Sequence, residues 1–148
     1  MDCSHNPFID AMISDQNGER VVFLTKILIV DDSKFSQKIT YSFLNQYLKN
    51  IEFVFANDGQ EGLEKFTETQ PDFMIVDLLM PKLRGQDLIE KVKQIERDAN
   101  VIVLSADVQN RVRDVVEKMG VLSFINKPLD EKKAKEICDI IGTGSRGR

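Results

Sequence analysis

Three aspartates stand at the ends of short apolar runs, where burying a charged carboxylate is unfavourable. The run 27–30 leads into Asp31 and Asp32, and the run 73–76 leads into Asp77. More apolar residues follow Asp77, and a charge between apolar neighbours is costly unless a cation compensates it. Three such carboxylates form a hard oxygen site, for which magnesium is the expected ion. Taken alone, Asp31 and Asp32 are equally compatible with roles as helix N-caps.

A hydroxyl and a lysine follow two later apolar runs. The run 101–104 leads into Ser105, and the weaker run 121–125 leads, one residue later, into Lys127 and Pro128. A serine or a lysine after a strand means little by itself, but lysine is a usual ligand for phosphoryl oxygens. The proline restricts the backbone so that the lysine points back over the strand ends. Together with the three acids, these residues suit a divalent cation and a phosphoryl group.

The polar residues meet at one edge if the apolar runs form a single parallel sheet. Runs of four or five residues rich in Ile and Val are typical of strands buried on both faces of such a sheet. Helical patterns alternate with the runs, which favours a three-layer α/β sandwich with right-handed crossovers. Ligands of these sheets bind outside the carboxyl ends of the strands. The predicted strands are 26–30, 51–55, 72–76, 100–104 and 121–125.

Five helices are predicted from apolar residues that recur at helical spacing. Ser33 is the expected N-cap of the first helix, and Pro71 and Gly120 mark the ends of the second and the fourth. The second, fourth and fifth helices are expected near 59–68, 109–119 and 130–141. The positions expected on buried helix faces are Phe35, Ile39, Phe43, Leu44, Tyr47, Leu48, Leu63, Phe66, Leu88, Ile89, Val92, Ile95, Val112, Val115, Val116, Met119, Ala134, Ile137, Cys138 and Ile141.

The composition is that of an ordinary single domain and excludes several classes of function. The chain has 148 residues, of which 42% are hydrophobic and 30% charged, with a formal charge of −4 and a pI near 5.1. An acidic surface argues against direct nucleic-acid binding, and no apolar stretch approaches the roughly 18 residues of a membrane span. The N-terminus lacks the pattern of a secretory signal, and Cys3 and Cys138 are too few for a disulfide framework. We therefore expect a reduced cytoplasmic protein without membrane association.

Two terminal segments lie outside the alternating pattern, so the domain itself is expected to span 26–141. Residues 1–25 form an extension of unassigned role, predicted to contain one short amphipathic helix and then a turn at 17–18. The tail 142–148 is rich in glycine and arginine and is expected to be disordered. The apolar positions of the predicted N-terminal helix are Phe8, Ile9, Met12 and Ile13.

The complete residue set resembles a response-regulator receiver domain, the phospho-accepting half of two-component signalling. The resemblance covers about 26–141, most of the chain. It implies a flavodoxin-like fold with five helices and a five-stranded parallel sheet in the order 2-1-3-4-5. The motifs that carry it are Asp31-Asp32, Asp77 within Asp-Leu-Leu-Met-Pro, Gly85, Ser105-Ala106 and Lys127-Pro128.

The resemblance also implies roles for the acidic residues. Asp77 is the implied phosphoryl acceptor, in a reaction that depends on Mg²⁺. Asp32, Asp77 and the main-chain carbonyl of Leu79 would bind the ion directly, and Asp31 would act through water. Leu79 and Asp107, each two residues beyond a site residue, are positions expected to influence how water reaches the aspartyl phosphate.

The remaining implied roles concern the switch and the partners. Ser105 and Lys127 would contact the phosphoryl oxygens, and Phe124 matches the family's switch aromatic. The output surface would be the fourth helix, fifth strand and fifth helix, roughly 109–141. The implied partners are a sensor histidine kinase or histidine phosphotransfer protein and a downstream protein target, as for a stand-alone chemotaxis or relay regulator. The implied chemistry is self-catalysed gain and loss of the phosphoryl group, without a separate enzymatic activity.

Three alternatives use part of the same residue set. A phosphatase of the haloacid-dehalogenase type also combines an aspartate nucleophile with Mg²⁺, but it needs an acid two residues further on, where this chain has Leu79. A flavin-binding module needs a phosphate-cradling loop after the first strand, and the stretch 31–34 is too acidic for that. The third alternative is a receiver segment of a longer regulator.

Overall fold

The computed structural model describes residues 13–14, 20–21, 24–107 and 109–144. These residues form a five-stranded parallel sheet with helices on both faces, together with a two-stranded antiparallel sheet. The strands are β1 Ile13–Ser14, β2 Arg20–Val21, β3 Thr25–Val30, β4 Ile51–Ala56, β5 Phe73–Val76, β6 Val101–Ser105 and β7 Ser123–Asn126. The helices are α1 Lys34–Tyr47, α2 Gly59–Thr69, α3 Gly85–Ile95, α4 Asn110–Lys118 and α5 Glu131–Gly144.

The strand order of the large sheet is β4-β3-β5-β6-β7, which confirms the predicted order 2-1-3-4-5 counted from β3. All four pairings are parallel, as the short uninterrupted apolar runs indicate. Every residue of β5 and β6 is buried. One apolar cluster packs this sheet against α2, α3 and α4, and a second packs its other face against α1 and α5. The carboxyl ends of β3, β5, β6 and β7 therefore lie side by side.

Local capping explains where two helices begin. The Ser33 hydroxyl accepts the backbone N–H of Ser36 at 3.1 Å and caps α1, as predicted. Asp58 caps α2 by accepting the N–H of Glu61 at 2.8 Å, and this hydrogen bond holds the pKa of the Asp58 carboxyl below its usual value. Both helices therefore begin just beyond the carboxyl end of a strand. The site lies at this edge of the sheet.

Three of the predicted core positions are wrong. Phe35, Ile95 and Val115 are exposed, and Phe35 most of all, at 74%. The buried stripe of α1 passes through Gln37, so Phe35, two residues earlier, faces away from the sheet. Ile95 is the last residue of α3, and Val115 is rotated by one residue from the buried Val116. An apolar side chain at helical spacing can thus still miss the core by one position.

The terminal segments also differ from expectation. Ile13 belongs to β1, which pairs with β2 in the register Ile13↔Val21, so the predicted helix does not include it. The rest of that predicted helix and the turn at 17–18 lie outside the described residues. At the other end, α5 continues to Gly144, three residues beyond its predicted end, and 145–148 are likewise outside the description. Within the described part of the chain, no helix is both long and apolar enough to cross a membrane.

Candidate functional site

The sheet brings the predicted site residues together at one edge. Asp77 donates its backbone N–H to the carbonyl of Val30 at 3.0 Å, which fixes the end of β5 beside the end of β3. Lys127 donates its backbone N–H to the carbonyl of Ser105 at 2.9 Å, which fixes the loop after β7 beside β6. Asp31 follows β3 directly. The parallel register therefore places two carboxylates, a hydroxyl and a lysine in one cleft.

Asp77 lies at the centre of this cleft and is only 7% exposed. Its Oδ1 atom accepts the hydroxyl of Ser105 at 2.8 Å and the backbone N–H of Leu79 at 3.0 Å. Its Oδ2 atom accepts the ammonium of Lys127 at 3.0 Å. Three donors thus hold the carboxylate in one orientation, and two of them are side chains at the carboxyl ends of β6 and β7.

Lys127 connects the two buried acids. Its Nζ atom lies 2.7 Å from Asp31 Oδ2 and 3.0 Å from Asp77 Oδ2. Partial burial lowers the pKa of the ammonium, but the hydrogen bonds and negative charges of the two carboxylates outweigh that effect, so the pKa of Lys127 is raised. The lysine is therefore charged and oriented towards Asp31 and Asp77.

Asp31, Asp32 and Asp77 each present a carboxylate oxygen, and these atoms lie within 4.8 Å of one another. Asp31 is held in place by the backbone N–H of Ser33, which it accepts at 2.9 Å, whereas Asp32 is exposed. Three negative charges around one ammonium leave two charges uncompensated at short range, so a bound cation would relieve the repulsion. The donor set consists of carboxylate oxygens, which is the chemistry that Mg²⁺ prefers. The residues fit the predicted ion.

Gly85, one of the positions that carry the resemblance, lies in close contact with the backbone of the site. A Cβ atom at this position would lie 2.3 Å from the main-chain oxygen of Asp77 and 2.6 Å from the Cα of Leu78. Its N–H also donates to the carbonyl of Leu78 at 3.2 Å. The start of α3 therefore packs directly on the backbone that carries the central aspartate, and the absence of a side chain permits that approach.

Gln37 is a site residue that the sequence reasoning missed. It is buried in α1, and its amide nitrogen lies 2.7 Å from the carbonyl of Asp31 and 3.2 Å from that of Ala56. The same nitrogen is 3.0 Å from the side-chain oxygen of Asn57. Gln37 thus ties the loop carrying the paired acids to the end of β4. Its spacing of seven residues from buried Leu44, two turns of the helix, is the signal that could have placed it on the inner face.

The residues assigned to lifetime and switching lie close to this cleft. Leu79 is 54% exposed, and the Asp107 carboxylate accepts the N–H of Gln109 at 3.0 Å just before α4. Asp107 also donates its backbone N–H to the Ser105 hydroxyl oxygen at 3.2 Å. Phe124 is 9% exposed and packs in the apolar cluster beneath α4, with the Arg113 guanidinium 5.1 Å from its ring centre.

An α/β sandwich with three aspartates, a serine and a lysine at its strand ends defines a receiver domain, and the comparison with protein families agrees. The chain belongs to the response regulator receiver domain family, whose sequence pattern matches residues 27–139. It is similar to the chemotaxis protein CheY of Treponema pallidum, with 32% identity over 75% of this chain and 78% of that protein. The CheY of Thermotoga maritima is 31% identical over 75% of this chain and 92% of that protein.

A solved structure supports the same conclusion. The fold resembles the crystal structure of the CheX–CheY–BeF3–Mg²⁺ complex from Borrelia burgdorferi, with a TM-score of 0.70 and 29% identity. The similarity covers 80% of this chain and 89% of that one. This chain is therefore a CheY-like receiver domain, a signalling module by class, and its acidic cluster is consistent with phospho-acceptance.

Proposed function

We propose that Asp77 accepts a phosphoryl group from a phosphohistidine on a sensor histidine kinase or a histidine phosphotransfer protein. The observation that carries the proposal is the hydrogen bonding of this carboxylate, which Ser105 contacts on one oxygen and Lys127 on the other. In the transfer, a carboxylate oxygen of Asp77 bonds to phosphorus while the P–N bond to the imidazole breaks. The imidazole keeps the electron pair of that bond and takes up a proton.

The residues around Asp77 would then position and neutralise charge. Ser105 is placed to donate to a phosphoryl oxygen, and the Lys127 ammonium to neutralise another. Asp31, Asp32, Asp77 and the main-chain carbonyl of Leu79 would hold Mg²⁺, with Asp31 acting through water. Bound there, the ion would supply the positive charge that reduces repulsion between the carboxylate and the phosphoryl group.

An exposed apolar side chain of this chain lies beside the site. Phe35 is 74% exposed and lines an open groove of about 420 Å³ together with Ala106 and Pro128. Pro128 directly follows Lys127, so a protein seated in this groove would bring its phosphohistidine close to Asp77. The groove adds Ile39 and Leu129 to the apolar lining around Phe35, so the exposed aromatic side chain belongs to a larger apolar surface. We propose this rim as the docking surface for the phosphoryl donor.

The proposed output surface is α4, β7 and α5. The exposed charged side chains of this surface include Arg111, Arg113, Glu117, Lys118, Lys132 and Lys135. When Asp77 gains a phosphoryl group, Ser105 would move towards it and alter the packing of Phe124 beside α4. A packed element with two arrangements converts a local change of charge into a change of surface shape. A downstream protein target would bind one of the two shapes.

The direct test is labelling with a small acyl phosphate in the presence of Mg²⁺. We expect one phosphoryl group per chain by intact mass, none in Asp77→Asn, and none when the metal is chelated. Asp114→Asn provides a matched control, because Asp114 is an exposed aspartate on α4. Undiminished labelling of Asp77→Asn would overturn the assignment of the acceptor.

A further inference from the structure

An aromatic groove outside the phosphoryl site has no part in the chemistry described above. It lies between α1 and β4, the edge strand of the large sheet, and has a volume of about 720 Å³. Tyr41 and Phe53 meet edge to face with ring centres 4.9 Å apart, and Phe53 stacks against Phe55 at 6.4 Å. Tyr41 is exposed, and the two phenylalanines are half-buried.

β4 is an edge strand of the large sheet. Edge strands are generally protected by charged side chains, prolines or a covering segment, because their free backbone groups pair readily with other chains. Here the face of β4 towards α1 instead presents Ile51, Phe53 and Phe55. These partly exposed apolar side chains, together with exposed Tyr41, form a continuous surface suited to a contact.

We propose that the N-terminal segment of this same chain, with Phe8, Ile9 and Met12, occupies the groove. The segment joins the sheet at Thr25, which is paired with Ile51 at one end of the groove. Neighbouring strands are about 4.8 Å apart, so the chain leaves the sheet one strand away from the aromatic side chains.

The small antiparallel sheet shortens the distance that the N-terminal segment has to span to reach the groove. Because Ile13 is paired with Val21, the chain that precedes Ile13 starts beside a residue only four positions before Thr25 (25 − 21). Four extended residues span about 13 Å, and the groove along 51–57 is about 20 Å long. The segment 8–12 can therefore reach the groove and run along it without a long connecting loop.

Charge favours the same occupant. The segment 1–24 contains four acids (Asp2, Asp10, Asp15 and Glu19) and one arginine, Arg20, which gives a net charge of −3 with histidine neutral. Lys34 and Lys38, both exposed, line the end of the groove away from Ile51. The net negative charge of the segment is therefore complementary to the two lysines that line the groove. Such complementarity favours this segment over a neutral or basic one.

The test uses a nitroxide spin label on Cys3 of the full-length protein. Cys138 is buried, so the label reacts at Cys3. We expect paramagnetic broadening of amide resonances in 41–45 and 51–57, and little broadening in α4. The double variant Phe8→Ser, Ile9→Ser should raise the intensity of those resonances at least severalfold. Asn6→Ser, a polar change in the same segment, should leave the broadening intact.

Three outcomes would overturn the proposal. One is full resonance intensity along 51–57 in the labelled wild-type protein, and another is broadening that persists unchanged in the double variant. The third comes from mixing spin-labelled protein with isotope-labelled protein that carries no spin label. Equal broadening of 51–57 in this mixture would assign the groove to the segment of a second copy instead.

Discussion

Gly85 lies so close to Asp77 that a Cβ atom would stand 2.3 Å from the aspartate's main-chain oxygen. The backbone of Asp77 and the first residue of α3 are therefore packed against each other, and no flexible side-chain end can move aside. We expect Gly85→Ala to lower the free energy of unfolding by about 3 kcal/mol, the upper range for overpacking a core. Urea unfolding measures the loss, and the rate of labelling by an acyl phosphate should fall with it.

Gly142 provides the matched control for this prediction. It lies in α5, and a Cβ atom there would meet nothing within 4 Å. Gly142→Ala should leave labelling unchanged and raise stability by up to about 1 kcal/mol, because alanine favours a helix more than glycine does. If Gly85→Ala proved as harmless as Gly142→Ala, the close approach to Asp77 would not be a constraint on the fold.

Lys127 and a divalent cation should compete for the same negative charge. The ammonium is bound to Asp31 and Asp77, two of the three carboxylates in the acidic cluster. Lys127→Ala leaves three carboxylates without a protein cation, so the metal-free variant should be destabilised by about 3 kcal/mol. Added Mg²⁺ should then stabilise the variant more than the wild type, because binding to the folded state alone raises stability.

The measurement is urea unfolding with chelator and with saturating Mg²⁺. Lys118→Ala, at an exposed lysine on α4, serves as the control and should behave as the wild type in both conditions. An equal gain in stability from Mg²⁺ in Lys127→Ala and in the wild type would show that the lysine does not oppose the cation.

Gln37 should contribute to the geometry of the acidic loop through its hydrogen bond to the carbonyl of Asp31. In Gln37→Ala the carbonyls of Asp31 and Ala56 lose a buried donor, which should cost about 1–3 kcal/mol of stability. Because the loop that carries Asp31 and Asp32 is then less constrained, Mg²⁺ affinity measured by titration should fall as well. Lys38→Ala, on the next residue of α1, should change neither quantity by a comparable amount. Unaltered Mg²⁺ affinity in Gln37→Ala would limit this residue to a packing role.

Much of this architecture could be predicted because burial and strand ends leave strong local patterns. The apolar runs before Asp31 and Asp77 identify strands buried on both faces, and the parallel order follows from the family resemblance. The exposure of Phe35 and the burial of Gln37 could not be predicted in the same way. Both depend on the rotation of α1 about its axis, which is set by packing against β3 and α5 and not by hydrophobicity alone. The role of Gly85 depends likewise on a contact between distant backbone segments.

Leu79 should control how long the phosphoryl group persists. It is 54% exposed beside the acceptor and offers no polar group to orient an attacking water. We expect slow to moderate loss of the phosphoryl group in the wild type and faster loss in Leu79→Asn, whose amide can hydrogen-bond a water molecule. Leu122→Asn, at another exposed leucine, is the matched control and should have no effect. An unchanged or slower decay in Leu79→Asn would contradict the water-positioning argument.

Ser105 should separate phosphorylation from signalling. Its hydroxyl donates to Asp77 Oδ1 at 2.8 Å, and its oxygen accepts the backbone N–H of Asp107 at 3.2 Å. The same side chain therefore contacts both Asp77 and the loop that leads to α4. In Ser105→Ala the carboxylate keeps its contact with Lys127, so we expect acceptance of the phosphoryl group to be retained.

What Ser105→Ala should lose is the difference between the two states at the output surface. Phe124 is already buried beneath α4, with Arg113 over its ring, and a phenylalanine has no hydroxyl to hydrogen-bond in either state. The switch must then act through packing alone, and without Ser105 nothing on this strand draws the loop towards the phosphoryl group. Amide exchange across 105–128 should change on adding beryllofluoride and Mg²⁺ to the wild type, and much less in Ser105→Ala. Identical exchange of the wild type with and without beryllofluoride would exclude this mechanism.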